Sequence, residues 1–264
     1  MFKSTKVLLN CDLGECLSAP HNSPSQTTPA LIAPEQTIDE QVMPLIDMAN
    51  IACGGHAGNT ESMHEAVSLA KQFKVQVGAH PSYPDREYFG RRRIEALNEY
   101  SFEHIKNSLR QQIETLNTIC KSHELDLSYI KPHGALYHDV LKHTYIFDVL
   151  LVLAQDFRLP LLLLSHSRSA VLQKHADQYN VKLLWEAFAD RAYDDQGQLL
   201  NRSHDKAVHG SVGSIVKQAH DIVSKRCVVT INNKILDIPC DTLCVHGDTP
   251  LAFEALQEIR RNIN

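Results

Sequence analysis

The chain has 264 residues, enough for one large α/β domain or two small ones. Its net charge is −5 and Lys and Arg are scattered, so no basic stripe is offered to nucleic acid or to an acidic membrane. The apolar run after Lys3 and Lys6 is only Val7-Leu8-Leu9, too short for a signal peptide, and no run approaches the length of a membrane span. Seven cysteines, an odd number without a CxxC pair, read as reduced thiols in a cytoplasmic protein; Cys240 and Cys244 lack the neighbours a zinc site needs.

Val7 to Cys11 is a continuous apolar run suited to a buried parallel strand. Residues 17–36 carry Pro20, Pro24, Pro29 and Pro34 and read as a long loop. Thr37 and Glu40 fit a capping box that opens a short helix. A second strand at about 48–53 leads to a helix over 60–74, with Met63, Ala66, Val67, Ala70 and Phe73 on one face. Val75 to Ala79 is a third strand. Pro81 and Pro84 force a loop through Arg91-Arg92-Arg93, and a long helix over 101–123 buries Phe102, Ile105, Leu109, Ile113, Leu116 and Cys120.

Leu127 to Lys131 is a fourth strand, and a helix over about 143–157 precedes a fifth strand at 159–164. A helix over about 168–179 leads to strand six at 181–186. Residues 187–213 are irregular, and a helix follows at about 214–225. Residues 227–239 pattern as a β-hairpin turning at Asn232-Asn233. Thr242 to His246 is the last strand, and Pro250 sits in the first turn of a last helix from Thr249. Seven strands alternating with helices predict a parallel sheet, open or closed into a barrel, in one domain spanning 1–264.

Five strand ends carry polar residues, which gathers chemistry on one rim. NCDLGE at 10–15 presents Asn10, Asp12 and Glu15; a carboxylate there binds metal, acts as a base or orients a histidine, or Asp12 makes a turn while Glu15 is solvated. CGGHAGN at 53–59 combines Gly54 and Gly55, which let backbone N–H groups approach an anion, with His56, a candidate metal ligand, proton carrier or phosphate donor. Asn59 reads as a helix cap, and no glycine is followed by lysine, so this is no Walker A loop. His80 and His133 sit at matching strand ends beside prolines. Lys131 shares a strand face with His133, and inside a barrel it needs an anion. Tyr137 suits core and site equally. Arg91 and Arg92 are anion binders or solvated loop residues. Glu186 ends strand six as a catalytic candidate. Asp190 and Arg191 either pair with each other or serve the site, and the last strand ends in His246 and Asp248, the latter a cap or a site residue.

Taken in order, NCDLGE, ANIACGGHAGN, VGAHPSYPD, FGRR at 89–92, KPHGALYHD at 131–139, FADRAY at 188–193 and CVHGDTP at 244–250 resemble the LamB/YcsF family, the A subunit of the prokaryotic ATP-dependent 5-oxoprolinase. The family has Phe in place of Gly55 and Asp in place of Asn59, and the proline-rich 17–36 replaces a glycine-rich run. The resemblance implies a (β/α) barrel like that of glycoside hydrolases and polysaccharide deacetylases. It also implies ATP, with magnesium, as the co-reactant in opening 5-oxoproline to glutamate, and two partners, the B and C subunits.

On that reading, Asp12 with His56 or His133 handles protons, with Glu15 and Glu186 as further catalytic candidates. CGGHAGN and Lys131 hold phosphate or the developing anion, and Arg191 or Arg91 pairs the substrate carboxylate. Asn10, His80, Asp190, His246 and Asp248 complete the binding set. Two other readings are a metal-dependent deacetylase or amidase that needs no ATP, suggested by Asp12 and the rim histidines, and a subunit that binds substrate without turning it over.

Overall fold

The computed structural model describes residues 7–15, 37–96, 102–247 and 249–262. The proline-rich 17–36 and Asp248 lie outside the described residues, as does Ser101, the predicted start of the long helix.

Seven parallel strands close into a barrel: β1 (Leu8–Leu13), β2 (Met48–Ala52), β3 (Gln76–His80), β4 (Leu127–Ile130), β5 (Leu161–Leu164), β6 (Leu183–Phe188) and β9 (Thr242–Cys244), which returns to pair with β1. The helices wrapping it are α1 (Ile38–Val42), α2 (Thr60–Phe73), α3 (Phe102–Ser122), α4 (Gly134–Asp139), α5 (Thr144–Phe157), α6 (Ser169–Ala176), α7 (Val212–Lys225) and α8 (Ala252–Asn262). The predicted hairpin is present as β7 (Cys227–Val229) and β8 (Ile235–Asp237), an antiparallel pair outside the barrel, with Asn233 at φ 62° in its turn.

The local signals work as their chemistry dictates. Thr37 accepts from the Glu40 N–H while Glu40 accepts from the Thr37 N–H, and Asn59 caps α2 in a second such box with Ser62. The faces of α2 and α3 bury the predicted residues except Phe73 and Phe102, which are 38% and 42% exposed. Both stand at helix ends, and Phe102 rests on the ring of Tyr145 instead of the core. The helix α4 has no counterpart in the sequence reading; six residues are too few to show a helical period. Strand β1 runs two residues past the predicted Cys11, because Asp12 points into the barrel rather than into a turn.

A strand's alternation sorts its side chains into an outer set packed under the helices and an inner set filling the barrel. Low in the barrel, Met48, Tyr129 and Leu162 form an apolar plug with Leu8 and Leu184 against it. Tyr129 fits because Gly78 is opposite: a Cβ there would lie 2.1 Å from the ring. One step up are Asn10, Asn50, Glu186 and Thr242, and above them Asp12, His80, Lys131 and Cys244. The interior therefore grades from hydrocarbon to charge toward the C-terminal ends of the strands.

Candidate active site at the C-terminal rim

The charged layer is one hydrogen-bonded network. The Lys131 ammonium donates to Asp12 Oδ1 at 2.7 Å and lies 3.2 Å from Glu186 Oε2, 3.3 Å from Asn10 Oδ1 and 3.4 Å from Cys244 Sγ. Asn50 donates from its amide to Asp12 Oδ1 at 2.7 Å and accepts from the Tyr129 hydroxyl at 2.7 Å. Asn10 donates to Glu186 Oε2 at 3.3 Å and to Thr242 at 2.9 Å. Burial would push the Asp12 carboxyl up, but Lys131 and His80 outweigh it and hold Asp12 well below the usual carboxylate range. Burial would likewise depress Lys131, and Asp12 with Glu186 holds it well above an ordinary lysine.

Asp12 divides its oxygens. Oδ1 is taken up below, while Oδ2 faces the rim, 3.5 Å from His80 Nε2 and 4.0 Å from His246 Nε2. His246 is oriented from behind by Asp190, whose Oδ2 lies 2.8 Å from Nδ1. Burial would raise the Asp190 carboxyl, and His246 beside it brings it below its usual value. The His–carboxylate pair leaves His246 Nε2 directed at Asp12, a geometry for moving a proton.

His80 donates Nδ1–H to the Lys131 carbonyl at 2.8 Å, and His133 donates Nε2–H to the Phe89 carbonyl at 3.0 Å. Their remaining nitrogens, His80 Nε2 and His133 Nδ1, face each other at 3.0 Å. His56 stacks on His133 with centroids 3.6 Å apart and planes 2° apart, and its Nε2 lies 3.2 Å from Glu15 Oε1. Burial lowers both His56 and His133 below an ordinary histidine.

Above the network lies a cavity of about 210 Å³. Asp12, Glu15, His80, His133 and His246 line it together with Arg91, Arg93, Arg191, Arg202 and His138, and Tyr137 and Phe188 add aromatic surface. Carboxylates, imidazoles and guanidiniums thus share one small space, with Arg91 over the Phe89 ring that packs on His133. Burial, with Arg93 and Arg191 nearby, pushes His138 down to about 4.

The structure brings Asp12, Glu15, His80, Arg91, Lys131, His133, Arg191 and His246 to this cavity. Glu186 does not line it. It lies beneath, fully buried, as a counter-charge to Lys131, so its reach to a substrate is blocked by the lysine it neutralises. His56 sits behind His133. Asn10 and Asp190 act through Lys131 and His246. Gly54 and Gly55 face away, toward Ser108 and Gln112 on α3. A Cβ at Gly55 would lie 2.5 Å from Gln112 Oε1, whose amide bridges the Ser82 N–H and carbonyl. That glycine makes room for a packed glutamine, not for an anion. Arg92 is committed to Asp85 at 2.8 Å, and Asp190 hydrogen-bonds His246 while Arg191, whose guanidinium donates to the Ala207 and Leu200 carbonyls, also helps to lower the Asp190 carboxyl.

Arg93, Arg202, His138, Asn50 and Tyr129 escaped the sequence reading. Asn50 and Tyr129 had a signal, each being a polar group within an otherwise apolar strand. His138 had none without α4.

The architecture defines a class: a seven-stranded parallel barrel whose C-terminal rim holds a buried lysine–carboxylate pair under a small cavity lined by both acidic and basic side chains. The chain belongs to the LamB/YcsF family, whose model matches residues 7–264. It is 37% identical over 258 residues to the 5-oxoprolinase A subunit of Vibrio campbellii, covering 98% of this chain and 96% of that one. It is 38% identical over 262 residues to the protein of that name from Pseudomonas fluorescens, covering 98% of both. Among solved structures, the lactam utilization protein of Thermus thermophilus superposes with a TM-score of 0.80 at 31% identity, over 97% of this chain and 95% of that one. An Enterococcus faecalis protein, 14% identical with a TM-score of 0.53, shares the fold alone.

Proposed function

We propose that this chain binds 5-oxoproline and opens its ring to glutamate, as the A subunit of an ATP-coupled 5-oxoprolinase whose partners are the B and C subunits. The observation that carries the reading is the mixed lining of the cavity: the guanidiniums of Arg91 and Arg191 share one small space with Asp12 and His246, which suits a small amide with one carboxylate, and whole-length relatives are named for that reaction. The lactam C–N bond breaks, its nitrogen leaves as the amine of glutamate, and the oxygen of water enters the new carboxylate. Asp12 Oδ2 and His246 Nε2 receive the proton of that water and return one to the departing nitrogen. Lys131 keeps Asp12 ionised for this task.

A five-membered lactam is a stable amide, and ATP with magnesium supplies the activation when bound. The rim cavity is smaller than drug-sized sites of about 300–1,000 Å³, so ATP is placed on a partner subunit.

The test is glutamate release from 5-oxoproline by the reconstituted complex. Asp12→Asn should lower turnover by at least about 100-fold with the complex intact. Unchanged turnover would end the assignment. A second reading, hydrolysis by a metal-activated water without nucleotide, is favoured by the grouping of Glu15, His80 and His133 at the same rim. Release undiminished by omitting ATP selects it.

A further inference from the structure

The pairing of His80 with His133 does not balance as it stands. Each ring spends one nitrogen as a donor to a backbone carbonyl, which can only accept. In the neutral rings the two remaining nitrogens are therefore both lone pairs, and they point at one another across 3.0 Å. The contact balances only if one ring carries an extra proton or if a cation beside the pair accepts both lone pairs. A third donor, Glu15 Oε1, is 3.7 Å from His133 Nδ1, and the ligand atoms of Glu15, His56, His80 and His133 all fall within 4.8 Å of one another.

We propose that His80 Nε2, His133 Nδ1 and the Glu15 carboxylate hold one divalent transition-metal ion at the cavity rim. Ligand distances of about 2.1 Å put neighbouring donors about 3.0 Å apart in an octahedron and about 3.4 Å apart in a tetrahedron; the two imidazole nitrogens already stand at the first spacing, and the Glu15 carboxylate, 3.7 Å from His133 Nδ1, needs to close by a few tenths of an ångström. The second contacts suit it as well, because ligating histidines ordinarily donate their other N–H to a carbonyl or carboxylate, as both do here.

His56 belongs to the cluster but not to the ligand set. Its ring is parallel to that of His133 at stacking distance, so an ion in the plane of His133 lies off the plane of His56 and out of line with its lone pair. Its place 3.2 Å from Glu15 Oε1 makes it the group that orients the carboxylate. It also does not line the cavity, whereas Glu15, His80 and His133 do, so the remaining coordination positions open toward the substrate space. Two imidazoles with one carboxylate suit Zn²⁺, Mn²⁺ or Co²⁺ rather than Mg²⁺.

Binding of the ion does not depend on the reaction proposed above, so its test reads the ion and not turnover. The full chain, stripped with chelator, is titrated with Zn²⁺, Mn²⁺, Co²⁺ and Mg²⁺ by calorimetry. One transition ion per chain at micromolar Kd or tighter is expected, with Mg²⁺ at least about 100-fold weaker. His80→Gln and His133→Gln should each weaken binding at least about 100-fold, and His56→Gln by about 10–100-fold, the effect of a group that orients a ligand. A measurement on the wild-type chain covers the event that these variants misfold. On one equivalent of Zn²⁺, the ¹⁵N resonances of His80 Nε2 and His133 Nδ1 should take metal-bound shifts while those of His56 keep an N–H. No stoichiometric binding by the wild-type chain, variants that bind as it does, or unmoved His80 and His133 resonances would each overturn the assignment.

Discussion

Replacing Lys131 by methionine is the sharpest test of the buried network. The side chain keeps its length, so little cavity is created. What is lost is the ammonium that touches both Asp12 and Glu186, which are 8% and 0% exposed. Removing one partner of a buried ion pair costs about 3–5 kcal/mol, because the other charge stays behind unpaired. That is a large share of a total stability of about 5–15 kcal/mol. The pH dependence gives the argument its sign. In the wild-type chain the folded Asp12 carboxyl is depressed, so its contribution is complete above the unfolded value of about 3.9 and is lost as pH falls through the folded one. In Lys131→Met the Asp12 carboxylate loses its ammonium, its folded value rises above the unfolded one, and stability is lost as pH rises. Urea unfolding should show the variant weaker by about 3–5 kcal/mol at pH 7 and partly recovered at pH 5. The triple variant Asp12→Asn, Glu186→Gln, Lys131→Met should regain most of the loss at pH 7 and remain inactive. A loss under about 1 kcal/mol, or no recovery at pH 5, would refute the network as the central electrostatic element.

Two further outcomes follow from the rim. Asp190→Asn removes the carboxylate that orients His246, and in the complex assay kcat should fall at least about tenfold with KM little changed and the pH–rate profile displaced; an unmoved profile would assign Asp190 to structure alone. His138, half-buried and held down to about 4, is neutral in the folded chain, so its contribution to stability is complete above the unfolded value of about 6.5 and lost as pH falls toward 4. His138→Gln should flatten stability between those limits by up to about 3 kcal/mol, and equal slopes for variant and parent in urea unfolding would count against it.

The barrel was legible because its strands are apolar runs of a few residues, each broken by a polar motif where the chain leaves the sheet. The motif positions fixed the rim, since every strand of a parallel barrel ends on the same side. Strand parity placed Lys131 and His133 together, and with them the need for an anion inside. Parity does not say how deep a side chain sits, so Glu186 read as a catalytic group although Lys131 covers it. Nor does it reach loops. Gly55 looked like part of an anion cradle because glycine signals close approach without naming what approaches, and Gln112, far along the chain on α3, supplies the answer. Arg93 and His138 reach the cavity from a short loop and a six-residue helix, where no period exists to read.

A lysine at the floor of an active-site cavity invites the reading of a nucleophile or base, and the contacts of Lys131 argue against both. Its ammonium is bounded by Asp12, Glu186, Asn10 and Cys244, and it is 2% exposed. The carboxylates hold it protonated well above neutral pH, so it has no lone pair to offer a carbonyl. A lysine activated for covalent work shows the reverse: burial in an apolar pocket or a neighbouring cation, and a lowered pKa. In the proposed reaction Lys131 therefore fixes charge and leaves proton movement to Asp12 Oδ2 with His246. Pyridoxal phosphate with borohydride reduction at pH 8 should label exposed lysines such as Lys71, whose side chain is 47% accessible, and leave Lys131 unmodified by peptide mass spectrometry. Labelling of Lys131 at the rate of Lys71 would show a neutral amine open to the cavity, and the division of labour between the two oxygens of Asp12 would have to be redrawn.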